Sequence, residues 1–304
     1  MSNIYEQITD RILREMEGGN IPWTKEWTNP SGSVSHATGK PYSLLNQLLL
    51  LDEGETVSDL ESFKSREFAT FNQIKAEGGH VRKGEKSKWL VFSKQWKKES
   101  VDESTGEKTE EVIPVLRWYN VFEVSQCDGI ERKYEPTRFD NDPVAEAERV
   151  IDEYFSREEC TLEVMETGRA SYSPKKDRVK VPLMSQFTTS ESYYSTLFHE
   201  MVHSTGHIKR LQRMDSESNV VFGDDDYSNE ELVAELGSAY MMNRLGLDNS
   251  KTERNSAGYL QGWMKALKDN RRLFVSAAAK AEKAVNYILG NEKNKSNETD
   301  DREN

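Results

Sequence analysis

Only two cysteines occur in the 304 residues, Cys127 and Cys160. They are too few and too isolated for a disulfide framework or a cysteine metal site, and each reads as a small buried side chain. No apolar stretch approaches the ~20 residues that span a bilayer. The first residues, MSNIYEQITDRILREME, form an amphipathic pattern without the apolar core or cleavage site of a secretion signal. These absences predict a cytoplasmic protein with no membrane partner. A basic excess is missing too: the net charge is -12, which by itself argues against nucleic-acid binding. Internal repeats are absent.

What is present is a polar, globular composition with charged residues at 31% and hydrophobic ones at 35%, long enough for two domains. The acidic charge is uneven. Between Ser62 and Lys98 stand ten basic residues (Lys64, Arg66, Lys75, Arg82, Lys83, Lys86, Lys88, Lys94, Lys97, Lys98) against three acids (Glu67, Glu77, Glu85), a local surplus of 10 − 3 = +7. Phosphate contacts depend on such local charge.

Patterning divides the chain. A helix is expected over residues 3–18, then an aromatic turn, IPWTKEW, and a helix over 44–51. A short helix follows over 71–77. Strands are expected at 86–94 and 115–124, joined by a charged tip over 99–111. Residues 143–155 read as a helix, TLEVME and ASYSPKKDRVKVP as a strand and a hairpin, 191–205 and 229–245 as helices, and 256–289 as two more. Together they predict an α+β chain: a first domain over 1–128, a linker over 129–142, a second domain over 143–290, and a disordered tail over 291–304.

The chemistry lies in FHEMVHSTGH. His199 and His203 are four residues apart, so a helix projects both imidazoles from one face, as a tetrahedral metal ion requires. Glu200 is turned about 100° around the axis and can serve as general base on water at that ion. Zinc is the expected ion, with manganese or another divalent transition metal as the alternative. Three local features set the match apart from a chance HExxH. Thr188 and Glu191 have capping-box spacing. Tyr194, Leu197, Phe198, Met201 and Val202 form an apolar face. An edge-type strand, Arg178 to Pro182, precedes the helix and is expected to take an extended substrate by strand addition.

A catalytic site needs a third ligand. His207 follows Gly206 directly, and the metzincin position for a third histidine is occupied by Lys209; His207 is expected to orient the site or to be exposed. Glu231 and Glu235 share a face of the next helix. Glu231 is the first choice for ligand, with Glu235 turned toward a ligand histidine. If Glu231 instead forms a capping box with Ser228, Glu235 takes its place. Glu230 is expected to be solvated, and Asp224, Asp225 and Asp226 to form a solvated turn rather than a calcium loop.

Several motifs in one order carry a resemblance. IYEQITDRIL, GNIPWTKEW, TGKPYSLLN, FATFNQIKAEGGHVRKGEKS and WYNVFEVSQCDGI in the first half, and FHEMVHSTGH, RLQR, YSNEELVAELGSAYM and AAAKAEKAVNYILG in the second, resemble the ArdC-type antirestriction proteins. The resemblance covers almost the whole chain except the tail. It implies an N-terminal single-stranded DNA-binding domain and a C-terminal zincin-like (gluzincin) metallopeptidase domain, carried on a plasmid, phage or similar mobile element, and an unidentified protein or peptide substrate. One departure is Ser43-Leu44, where an arginine or glycine is expected after the tyrosine; a basic DNA contact is missing there.

Single strands are held by a basic groove and aromatic platforms. Candidate contacts are Arg82, Lys83, Lys86 and Lys88 in a glycine-flanked loop, Lys75, Asn72 and Gln73 on the preceding helix, Trp89, Trp118 and Tyr119 on the strands, and Trp23 with Lys25 in the aromatic turn. Alternation requires one of Trp118 and Tyr119 to face the core. Two functions stay open: DNA binding joined to metal-dependent proteolysis, or DNA shielding with a metal site that performs no physiological proteolysis. A two-metal nuclease is disfavoured, since its carboxylate cluster is lacking.

Overall fold

The computed structural model describes residues 3–17, 33–50, 66–101, 108–134, 143–167, 169–214, 225–248 and 257–291. The aromatic turn with Trp23 and Lys25, most of the expected linker and the tail lie outside them.

The first half opens with α1 (Ile4–Glu17), whose Ile8, Ile12, Leu13 and Met16 are buried along one face. β1 (Val34–Ser35) and α2 (Leu44–Leu50) follow, then β2 (Glu67–Ala69), α3 (Phe71–Ala76), β3 (His80–Val81), β4 (Lys88–Val101), β5 (Lys108–Glu123) and β6 (Cys127–Asp128). The main sheet has the order β1-β2-β5-β4, and β3 pairs with β6 beside it. The β4–β5 ladder runs unbroken from Lys88↔Val121 to Val101↔Lys108. The hairpin is therefore longer than expected from sequence. Its outer arm, KKES against TEEV, has no apolar alternation in sequence yet continues the ladder. At the open edge of β4, Asn46 accepts from Val91 N at 2.9 Å and donates to Val91 O at 2.7 Å, so a side chain takes the place of a neighbouring strand.

The second half contains α4 (Pro143–Arg157), β7 (Thr161–Met165), β8 (Ser171–Ser173), β9 (Arg178–Pro182), α5 (Ser190–Thr205), α6 (Asp225–Leu245), α7 (Ala257–Asp269) and α8 (Leu273–Ile288). Its sheet has the order β7-β9-β8. β9 pairs parallel to β7 and antiparallel to β8, so it is the central strand. The expectation of an edge at Arg178–Pro182 is corrected, because the earlier strand β7 returns to its open side.

One hydrophobic core runs through both halves. α1 packs on α7 and α8, and α2 on α8 and β4. Thr9 donates its hydroxyl to Arg271 O at 2.8 Å. The Leu44 N–H at the start of α2 donates to Glu282 Oε2 at 3.4 Å. Both free cysteines are buried, as expected. Among the described residues no helix is long and apolar enough to cross a membrane.

A buried polar knot holds the first half together. Glu67 is fully buried. It accepts from the backbone N–H groups of Lys133 and Tyr134 at 2.9 and 2.7 Å and faces His36 Nδ1 at 2.6 Å. The other ring nitrogen of His36 faces Glu77 at 3.1 Å. Lys133 and Tyr134 are thus fastened to β2. Removing one partner of a buried charged network strands the other. His36→Ala is expected to cost about 3 kcal/mol in chemical unfolding, and a cost below about 1 kcal/mol would show that the knot is not coupled.

Candidate metal centre and nucleic-acid face

α5 forms where its sequence stops competing with helix. Thr189 is extended (φ -139, ψ 155) and accepts from Ser192 N. The cap is therefore Thr189 and not the expected Thr188 with Glu191: the helix starts one residue later in the pattern than the capping box requires. Tyr194, Leu197, Phe198, Met201 and Val202 are all fully buried, while His199 and His203 face carboxylates of α6.

The two helices cross closely. At Gly237 of α6 an added Cβ would sit 2.7 Å from Val202 Cγ2. Beside it Ser238 Oγ donates to Ser195 O at 2.6 Å. Small residues at the crossing let α6 approach until its carboxylates reach the imidazoles.

There His199 Nε2 and His203 Nε2 face one another at 3.0 Å. Glu231 Oε2 lies 3.4 Å from His199 Nε2, and its Oε1 3.4 Å from His203 Nε2. Donor atoms of these three residues all lie within 4.8 Å of one another. Glu235 Oε1 is 3.5 Å from the other nitrogen of His199, Nδ1. α6 begins at Asp225, so Ser228 lies inside the helix and cannot cap it with Glu231. The same start places Asp225 and Asp226 in the first turn of α6, where the turn was expected.

Glu230 corrects the expectation that it is solvated. Its side chain is only 13% exposed, with Oε1 3.6 Å from His203 Nδ1 and 2.8 Å from Arg213 Nη2. His203 thus faces one carboxylate of α6 with each ring nitrogen. Sequence reading missed this because Glu230 and Glu231 point about 100° apart on a helix, yet one imidazole between them reaches both. His207 is also corrected. It neither joins the cluster nor is exposed, and Nδ1 lies 3.7 Å from Asp177 Oδ2. Asp177, in left-handed backbone at φ 45, is bound by Arg210 and Tyr172, a cluster that the sequence reading did not contain.

The field of the cluster is negative. Burial works against a charged His203, yet Glu230, Glu231 and Glu200 outweigh it and push its pKa up to about 10. Burial likewise opposes ionisation of Glu231, but His199 and His203 hold its carboxyl well below the usual range. Glu230 behaves the same way through His203 and Arg213. The pocket calls for positive charge at the point where three donors meet. Two imidazole nitrogens and a carboxylate fit one divalent ion by number and chemistry.

The candidate DNA contacts separate. Lys75, Asn72, Lys83 and Lys86 are exposed. Gln73 is spent in the α3 capping box with Thr70. Arg82 is paired with Glu85 and Asp128. Lys88 turns inward and donates to Leu50 O at 2.8 Å. Trp89 is partly buried against the core. Trp118 is 59% exposed, while Tyr119 packs edge-on against Phe92, the split that alternation required. Phe71, 56% exposed, was missed. The readable signal was a second apolar residue on a six-residue helix whose buried residue is Ile74 alone.

An HExxH helix crossed by a second helix bearing the acid, beside a three-stranded sheet, defines a zincin-like metallopeptidase domain. Residues 149–280 match the family described as a zincin-like metallopeptidase. Residues 2–122 match the family described as the N-terminal domain of the anti-restriction factor ArdC. The chain is 33% identical to the antirestriction ArdC protein of the R388 plasmid in its metal-free crystal structure, with a TM-score of 0.70, over 95% of this chain and 98% of that one. The Mn(II)-bound structure of that protein matches at 30% identity and the same TM-score of 0.70. The chain belongs to the ArdC antirestriction family. It is also 30% identical to a DNA primase TraC of Escherichia coli over 307 residues, but spans only 27% of that primase, and only 20% of a second TraC at 29% identity. An uncharacterized protein y4eC of Sinorhizobium fredii is 27% identical, with 92% of its length covered.

Gly237→Ala is expected to destabilise the fold by about 1–3 kcal/mol through overpacking. Val202→Ala in the same chain should return part of that loss in a double-mutant cycle. Purely additive losses would mean that the crossing is not the point of strain.

Proposed function

We propose that this chain is an antirestriction protein of a mobile element, acting in the cytoplasm. Its first domain (residues 1–128) binds single-stranded DNA without sequence preference, and its second (143–290) holds one divalent ion at a peptide-hydrolysing site. The observation that carries the second part is the meeting of His199 Nε2, His203 Nε2 and Glu231 within 4.8 Å. These three are assigned as ligands. Glu235 is the residue that orients His199. Zinc suits two imidazoles and a carboxylate, and manganese is the ion in the R388 relative.

Bound there, the ion supplies Lewis acidity to water and to the scissile carbonyl. Glu200, next to His199 on α5 and itself buried, takes the proton from the attacking water and passes it to the leaving amine. His199, His203 and Glu231 stay fixed throughout because α5 and α6 are locked at Gly237.

The exposed cations Lys75, Lys83 and Lys86 meet phosphates, and Trp118 and Phe71 offer ring faces to bases. Arg82 and Lys88 shape the loop rather than touch the strand. Such contacts carry little base information. A second reading is DNA shielding without physiological proteolysis: β9 is the central strand, so the strand-addition edge expected at Arg178–Pro182 is not there.

Glu200→Ala is expected to keep about one equivalent of metal and to lose peptide hydrolysis, whereas His203→Ala loses the metal. Metal retained by His203→Ala would overturn the ligand set. DNA protection in cells that survives Glu200→Ala selects the second reading.

For the other domain, changing Lys75, Lys83 and Lys86 together to Gln should lower the salt slope of single-stranded DNA binding by about 2, since each single-strand phosphate contact contributes roughly 0.7. Trp118→Ala should weaken binding by about 1–3 kcal/mol. An unchanged slope in the triple variant rejects this face.

A further inference from the structure

We propose that Arg213 and Glu230 are positioning residues for the metal centre: Arg213 clamps Glu230 beneath the Nδ1 edge of His203, so that Nε2 is held toward His199 and Glu231. The inference rests on the reading of His199, His203 and Glu231 as the ligand set.

His203 Nδ1 is buried and has no hydrogen-bond partner among the described residues. The carboxylate facing it is Glu230, with Oε1 at 3.6 Å. That gap is slightly longer than a hydrogen bond, and a small rotation of the imidazole closes it. Glu230 is itself gripped by a guanidinium fork. Arg213 Nη2 donates to Oε1 at 2.8 Å and Nε to Oε2 at 3.2 Å. The same guanidinium is tied to α5 on either side of His203: Nη2 donates to Val202 O and Nη1 to Thr205 Oγ1, both at 2.8 Å.

The loop after α5 is shaped to deliver this side chain. Gln212 takes a left-handed conformation at φ 53. The N–H groups of Arg213 and Met214 both donate to Gly206 O at 2.9 Å. An added Cβ on Gly206 would lie 2.9 Å from Met214 Cγ and 3.0 Å from His203 O, so the returning chain passes close over the helix end. The Arg213 and Glu230 side chains are 8% and 13% exposed. A buried ion pair is a poor source of net stability, so its geometry is the more informative property. A carboxylate on the far nitrogen of a ligand histidine fixes its tautomer, orients the ring and raises its basicity. A planar, bidentate arginine fixes that carboxylate in turn.

The test is a titration of the metal-free full-length chain with Mn(II), following the free ion by EPR, on wild type, Glu230→Gln, Arg213→Lys and His203→Ala. Glu230→Gln is expected to raise the Kd about 10–100-fold. Arg213→Lys, which keeps the charge and loses the fork, should raise it by a smaller factor and shift the visible bands of the Co(II)-loaded protein. A purely structural clamp would lower the melting temperature and leave Kd and the cobalt spectrum at their wild-type values; that result in folded variants overturns the proposal. If Glu230→Gln does not fold, Arg213→Lys decides alone. His203→Ala separates the two layers: metal retained by that variant overturns the ligand set itself, whereas metal lost there with unchanged Arg213→Lys and Glu230→Gln overturns only the positioning role.

Discussion

The close crossing of α5 and α6 at Gly237 is the constraint on which the candidate site depends. Helix axes normally pack 8–10 Å apart, and the side chains at the crossing set where in that range they fall. Here a glycine meets Val202, and two serines are bonded beside them. Because His203 follows Val202 directly and Glu231 lies less than two turns from Gly237, the spacing of the helices becomes the spacing of the donors. A bulkier residue at the crossing would be felt first as distance between imidazole and carboxylate.

That approach concentrates like charge. Glu200, Glu230, Glu231 and Glu235 surround two histidines, and the described cation among them, Arg213, is bound to Glu230. The raised pKa of His203 expresses this surplus. Without another cation, a proton is the charge that the pocket can recruit. Proton and metal ion compete for the same nitrogens in such a site. Glu230, Glu231 and Glu235 stand on a single helix, yet they face different ring nitrogens.

The two family-matched halves are not separate bodies joined by a tether. α1 and α2 bury their apolar faces on α7 and α8, and the α2 N-terminus is met by Glu282 of α8. Lys133 and Tyr134, in the expected linker, are bonded to Glu67 of β2. The candidate DNA contacts and the candidate metal centre therefore rest on one core.

Much of this was legible in the residues alone. Period and punctuation placed α1, α2, α3 and α5 within a residue or two, and alternation separated Trp118 from Tyr119. The i, i+4 spacing of His199 and His203 puts both on one face whatever surrounds them, since helix geometry is local. Two expectations failed where the deciding contact was distant. The Arg178–Pro182 strand lost its edge to β7, and His207 was taken by Asp177. Glu230 was misread for the same reason, because its partners, His203 and Arg213, belong to another helix and to the loop behind it. By itself the sequence determined the helices and the chemistry each could present. Only the tertiary structure decided which nitrogen met which carboxylate, because that depends on how closely α5 and α6 pack, and no local spacing encodes it.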